Sequence, residues 1–157
     1  MNVIITTHQF QSIYAHFLDR KPNMIIDGIF SKLLYSNHHF VMNGLFIDIS
    51  LQSISPKKYN SSFIEFDVSS NKDMMKRISE IEKQILQNYA DYFQITNKTP
   101  VYDLSYKLHS GSLKYYSSSI QNKYPIVKPE YFVKISGIWE TIHQYGITYK
   151  IIEYRPK

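Results

Sequence analysis

The chain contains no cysteine. That excludes disulfides, cysteine-type zinc sites and thiol catalysis, and it suits a reducing compartment. Glycine is scarce, at 5 of 157 residues. None of the five falls in a GxGxxG or GxxxxGK(S/T) loop that would cradle phosphates, or in the GxSxG of a nucleophile elbow. No apolar run is long enough to span a bilayer, and the opening MNVIITTHQFQSIYAHFLDRKP lacks a basic segment followed by an unbroken apolar stretch. The expectation is an intracellular protein of cytoplasm or nucleus, neither secreted nor membrane-bound. The histidines His8, His16, His38, His39, His109 and His143 show no HExxH-type spacing. No catalytic residue, metal or cofactor is therefore expected. Asp27, Asp48, Glu65 and Asp67, on neighbouring predicted strands, leave open a carboxylate cluster for a divalent ion and with it a nuclease reading. Edge charges are the simpler account of them.

What the chain has in quantity is rings and positive charge. Lys and Arg number 18 against 13 Asp and Glu, a formal charge of +5, and 14 Tyr and 9 Phe accompany a single Trp. The sequence pI is about 9.2. A basic balance favours polyanionic partners. Every base has a π-face, so rings beside lysines are what a sequence-tolerant binder of single strands needs. The competing account is that the rings fill the core or suit β-strands. Abundant Asn, Lys, Ile and Tyr also accompany A+T-rich coding, which weakens any argument from composition alone.

One domain over residues 1–157 is expected from the length, with no internal repeat or long linker. Phe10, Ile13, Tyr14 and Phe17 recur at three and four residues and predict a short helix over 9–18, broken by Asp19 to Asn23. Asp27 to Tyr35 alternates as a strand, His38 and His39 fall in a turn, and Phe40 to Leu51 reads as a second strand with a bulge at Gly44. A polar loop over Gln52 to Asn60 leads to a third strand at Ser61 to Val68, completing a three-stranded meander. Ser70 and Asp73 suggest the start of a helix, and Met74, Ile78, Ile81, Ile85 and Tyr89 supply its apolar stripe. Lys72, Lys76, Glu80, Lys83 and Gln87 form its solvated face. Val101 to His109 alternates as a strand, and Ser110 to Ser119 reads as a loop or hairpin edge. Tyr131 to Trp139 and Ile147 to Tyr154 predict a final hairpin, with Trp139 assigned to the core.

This order predicts a mainly β chain with helices, of the α+β class. It fits an OB-like five-stranded barrel with one long helix after strand three and a short N-terminal helix. An unrelated α+β sandwich with a helix across one face has the same string of elements. Basic and aromatic residues crowd two segments. One is Lys57, Lys58 and Tyr59 in the loop between the second and third strands; the other, before the last hairpin, holds Tyr106, Lys107, Lys114, Tyr115, Tyr116, Lys123 and Tyr124. With Lys32, Tyr149 and Lys150 they are the candidate nucleic-acid contacts, lysines for phosphates and tyrosines for bases.

Two stretches carry a family likeness. Residues 26–36 (IDGIFSKLLYS) with 42–46 (MNGLF), and 134–140 (KISGIWE) with 145–150 (YGITYK), resemble the first and last hairpins of the OB-fold single-stranded DNA-binding proteins of DNA viruses and short-tailed phages. In that family the final hairpin carries a Gly-x-Trp segment and a Gly-x-x-Tyr-Lys-like strand, here Gly137, Trp139, Gly146, Tyr149 and Lys150. The likeness covers about half the chain. It implies a protein that coats single-stranded DNA, without sequence specificity, in replication, recombination or repair, and that self-associates as a homo-oligomer. Phage members end in an acidic tail that recruits partners, whereas this sequence ends IIEYRPK, so tail-mediated recruitment is not implied. Two rivals remain at this level. An RNA-binding module would use the same physics, and a viral structural or protein-interaction subunit would use exposed rings as an interface.

Overall fold

The computed structural model describes residues 3–56, 62–117 and 128–155. In chain order its elements are β1 (Ala15–Phe17), β2 (Lys21–Pro22), β3 (Ile29–Ser36), β4 (Val41–Asn43), β5 (Leu45–Asp48), β6 (Phe63–Glu65), the helix α1 (Lys72–Tyr92), β7 (Thr99–Val101), a second helix α2 (Asp103–Ser110), β8 (Ser112–Ser117), β9 (Glu130–Glu140) and β10 (Gln144–Tyr154). Short 3-10 turns precede β1 at Ser12–Tyr14 and α1 at Ser69–Asn71.

The antiparallel hairpin of β9 and β10 is the spine. On the free edge of β9, β3 pairs through Ile29 to Lys32 and β5 through Leu45 to Asp48. On the free edge of β10, two parallel strands pair at separate places, β7 at Gln144–Gly146 and β8 at Ile151–Glu153. Beyond these, β3 also pairs with β1, β2 and β4, and β8 with β6. The result is a ten-stranded open sheet. Alternate residues of the spine, among them Tyr131, Val133, Ile135, Tyr145, Ile147 and Ile151, point to one face and are buried there with Met75, Ile78, Ile85, Leu86 and Tyr89 of α1. Burying this apolar surface is the main favourable term in folding.

The α+β class, one long helix and the final hairpin stand as expected, but six described strands rather than three precede that helix. The five-stranded OB-like barrel does not stand: the sheet is open and has ten strands among the described residues. The three-stranded meander fails with it. At Gly44, where φ is +106°, the chain turns a corner that only glycine takes easily, and a Cβ there would stand 2.9 Å from the Ile135 carbonyl oxygen. The predicted second strand is thereby split, β4 staying on β3 while β5 crosses to β9. The third strand shortens to β6 and pairs with β8.

The helix expected over 9–18 is a 3-10 turn followed by β1, whose Ala15 and Phe17 pair with Tyr35 and Leu33. A helix of that length is marginal by itself. Its apolar spacing is satisfied another way, by rings: Phe10 and Tyr14 lie 5.9 and 6.1 Å from Tyr35, and Phe17 lies 5.3 Å from Tyr89.

Ser70 does not cap α1, because its N–H and Oγ bond to Asp67 and the first flanking position falls to Asn71. Asp73 does sit in the first turn. The segment expected as a strand over Val101–His109 is mostly α2, and the expected loop after it is β8. In α2 only Leu104 and Leu108, four residues apart, are buried. Its opening N–H groups are satisfied from outside the segment. Buried Glu82 of α1 accepts from Leu104 N at 3.1 Å and from Ser105 N at 3.0 Å, supplying partners that a helix start otherwise lacks.

Two buried carboxylates tie both helices to the same face of the sheet. Besides Glu82, Glu140 at the end of β9 accepts from Tyr89 Oη at 2.6 Å and pairs with Lys98 and Arg20. Among the described residues, no helix is long and apolar enough to cross a membrane.

Candidate nucleic-acid interface

Side chains of Cα partners on neighbouring strands share a face, so the register defines what lies opposite the helices. One row runs Phe30, Trp139, Gly146, and the next Lys32, Gly137, Thr148. A third runs Phe46, Lys134, Lys150, and a fourth Asp48, Phe132, Ile152, Tyr116. Glu130 and Tyr154 close the series. Lys114, two residues from Tyr116 on β8, shares the face. This outer face is therefore a field of aromatic rings with lysines set among them.

The rings are held down. A Cβ on Gly146 would come within 2.7–3.0 Å of the Trp139 indole atoms Cζ2, Cε2 and Nε1, and one on Gly137 within 2.6 Å of Phe30 Cζ. The two glycines thus give the rings room to lie against the sheet rather than stand off it. Phe132 bridges Phe46 and Tyr154 at centroid separations of 5.9 and 5.4 Å. The Lys134 ammonium sits 5.7 Å from the Phe46 centroid, and the Lys114 and Lys150 ammoniums sit 5.5 and 5.1 Å from that of Tyr116. Such contacts hold a cation near a π-face without neutralising it. No described carboxylate lies at ion-pair distance from Lys32, Lys114, Lys134 or Lys150, since the described pairs involve only Arg20, Lys98 and Lys107. The face's acids stand at its margins, Asp48 with Ser50 Oγ at 3.0 Å, Glu130 with Tyr154 Oη at 2.7 Å, and Glu65 on β6 as the Cα partner of Ser112.

The sequence-predicted contacts divide accordingly. Lys32, Lys114, Tyr116 and Lys150 lie on this face and are exposed, Tyr116 to 44%. Lys107 comes near from α2 but pairs with Asp103 at 2.9 Å. Tyr106, 76% exposed on α2, does not join the rows. Tyr115 is not a stacking surface: it points to the opposite face, is 5% exposed and packs edge-on against Tyr131 at 5.8 Å. Tyr149 is not one either. It faces α2 and donates its hydroxyl to Asp103 at 2.7 Å, and burial, with that bond and the nearby carboxylates, pushes its pKa far up. Lys57, Lys58 and Tyr59 lie outside the described residues, as do Lys123 and Tyr124.

Trp139, assigned to the core from sequence, is half-buried on the outer face. Phe30, Phe132, Lys134 and Tyr154 were not among the predicted contacts. Their signal was available in the two-residue period of β9, where Phe132, Lys134 and Ser136 alternate with the apolar Tyr131, Val133 and Ile135. Asp27, Asp48, Glu65 and Asp67 do not gather: among the described residues no three His, Asp or Glu side chains could hold a metal ion together.

The chain matches no family model, no curated protein and no solved structure.

Proposed function

We propose that the protein binds single-stranded DNA without regard to sequence, along the outer face of the sheet. One observation carries the reading: lysines with no described carboxylate partner and laid-down rings share one continuous face, while both described helices pack on the other. Lys32, Lys114, Lys134 and Lys150 would neutralise phosphates and release counterions. Trp139, Phe30 and Tyr116 would offer ring faces to bases, at about 1–3 kcal/mol per stacked base. Only unpaired bases expose a face to stack, so the arrangement favours a single strand over a duplex. Stacking and phosphate neutralisation are both indifferent to base identity, which suits a coating role in replication, recombination or repair.

Trp139 is the only tryptophan and stands within the interface, so its emission reports on binding directly. Titration with an oligothymidylate of about 30 nucleotides should quench it strongly at low salt and weakly at high salt. The matching duplex should quench it less, and a matched RNA oligomer sets the preference between the two backbones. Unchanged emission at low salt would sink the reading and favour a protein-interaction face.

A further inference from the structure

The free edge of β10 is interrupted. Strand β7 ends its pairing at Gly146 and β8 begins at Ile151, because the chain between them leaves the sheet as α2. From Ile147 to Lys150 no described strand lies alongside β10 on that edge, so its backbone there has no ladder partner. The gap opens into a cavity of about 290 Å³ whose walls include Trp139, Tyr116, Lys114, Lys150 and Lys107. Small-molecule sites begin at about 300 Å³, so the cavity suits one small ligand. Its electrostatics are one-sided. Asp103, also in the wall, is engaged by Lys107 at 2.9 Å and Tyr149 Oη at 2.7 Å. The ammoniums of Lys114 and Lys150 both lie over the single Tyr116 ring with no described carboxylate between them. Two like charges held together this way repel each other until an anion joins them.

We propose that this slot seats one nucleotide monophosphate unit, its phosphate between Lys114 and Lys150 and its base between the slot's rings and the unpaired β10 backbone. The inference rests on the strand-binding reading and deepens it, since the slot opens beside the rows of the outer face. A strand crossing the sheet would turn one nucleotide off the stack and into the gap. A free nucleotide presents the same chemistry, and the two sources are separable by experiment.

The probe is thymidine 5′-monophosphate, followed by Trp139 emission, with thymidine and inorganic phosphate as half-probes and the oligothymidylate run beside them. Saturable binding of the monophosphate, at least about 10-fold tighter than either half-probe, is expected. Lys114→Gln, which removes one of the two charges, and Thr148→Phe, which fills the slot, should each weaken it at least 5-fold, or about 1 kcal/mol. If a free nucleotide is the ligand, the monophosphate displaces no oligothymidylate; if a strand unit is, the two compete. Oligothymidylate binding without monophosphate binding overturns the slot and leaves the face standing. Monophosphate binding that survives both substitutions also overturns it, because the ligand then sits elsewhere. Should Thr148→Phe fail to fold, Lys114→Gln carries the test alone. Should neither oligomer nor monophosphate bind, the strand-binding reading fails and the slot falls with it.

Discussion

Replacing Lys134 and Lys150 together by glutamine tests the face where its chemistry is most specific. The two are Cα partners on β9 and β10, and glutamine keeps part of each aliphatic stem while removing the ammonium, including the one over Phe46. Each phosphate neutralised on a single strand contributes about 0.7 to the slope of log K against log salt. Four lysines with no described carboxylate partner therefore predict a slope of about −2.8, which is roughly a 50-fold loss of affinity between ~50 and ~200 mM salt. With two of the four removed the slope becomes about −1.4 and the loss over the same range roughly 7-fold. Fluorescence titration with oligothymidylate at several salt concentrations reads both slopes directly, and circular dichroism checks that the double variant is folded. The substituted side chains lie on the outer face, so little change in melting temperature is expected. A double variant with the parental slope would refute the placement of phosphates on this face, whatever its absolute affinity. A parental slope near zero would refute the electrostatic account altogether.

Gly146→Ala inserts a methyl group 2.7 Å from the indole, so it should cost about 1–3 kcal/mol of stability; it should also lift Trp139, seen as a shifted emission spectrum and weaker strand binding. Tyr116→Ala and Tyr149→Phe should separate binding from stability: the first loses about 1–3 kcal/mol of strand affinity with little change in melting temperature. The second removes the bond to Asp103 and should cost about 1 kcal/mol of stability while leaving the salt slope unchanged. The two buried carboxylates should show opposite pH trends in thermal melts. Burial alone would raise the Glu140 carboxyl, but bonds from Lys98 and Tyr89 and the charges of Lys98 and Arg20 outweigh it and hold it below the usual carboxylate range. Its contribution is present above the unfolded value of about 4.3 and lost as pH falls through the lower folded value, so the advantage over Glu140→Gln, roughly 3–5 kcal/mol at neutral pH, should disappear in acid. For Glu82 burial prevails over the bonds from Ser105 and Leu104 and raises the carboxyl. Its contribution is present below about 4.3 and declines as pH rises through the higher folded value, so the parent should lose ground to Glu82→Gln over that window.

How much of this was legible in the sequence depended on whether the deciding partner was local. α1 was plain because its apolar stripe, Met74 to Tyr89, repeats over about four turns and its burial follows from that period alone. The hairpin of β9 and β10 was plain because alternation persists over both strands. α2 was not, because Leu104 and Leu108 are too few to establish a period against the competing alternation, and the carboxylate that caps it comes from Glu82, 22 residues earlier. β8 was missed for a related reason: its partners are the parallel β10 and the distant β6, so no neighbouring turn announces it. The site was half legible. Lysines and tyrosines mark a basic, aromatic surface wherever they cluster, and this picked out Lys114, Tyr116 and Lys150, which lie exposed on the outer face. Which tyrosine faces outward is decided by strand parity and register, so Tyr115 and Tyr149 were included although their neighbours in sequence, Tyr116 and Lys150, are the ones that reach the outer face.

The tyrosines sort by what their hydroxyls do. Tyr35, Tyr89, Tyr131 and Tyr149 each point a ring into the helix-bearing side and bond a buried or half-buried group there, Gln11 N, Glu140, Glu153 and Asp103 in turn. A phenol in such a place must be satisfied or it costs stability. Tyr35 is satisfied by the Gln11 N–H and the other three by carboxylates that themselves need donors, and two of those pairs, Tyr89 with Glu140 and Tyr149 with Asp103, hold α1 and α2 to one face. Replacing the carboxylates by apolar groups could have been as stable, but leucine and phenylalanine would not specify so narrowly which side of an open sheet each helix must cover. An open sheet has two faces that could bury apolar surface, and the outer one already offers the half-buried Phe30, Phe132, Trp139 and Tyr154 to any segment that collapses on it. The polar anchors on the inner side and the lysines on the outer side act in the same direction: helices are held where carboxylates meet phenols and kept from a face where four ammoniums would have to be desolvated. Among the described residues no helix covers the outer face, and the cations that disfavour burial of the protein's own chain there are the groups that would draw a polyanion to it.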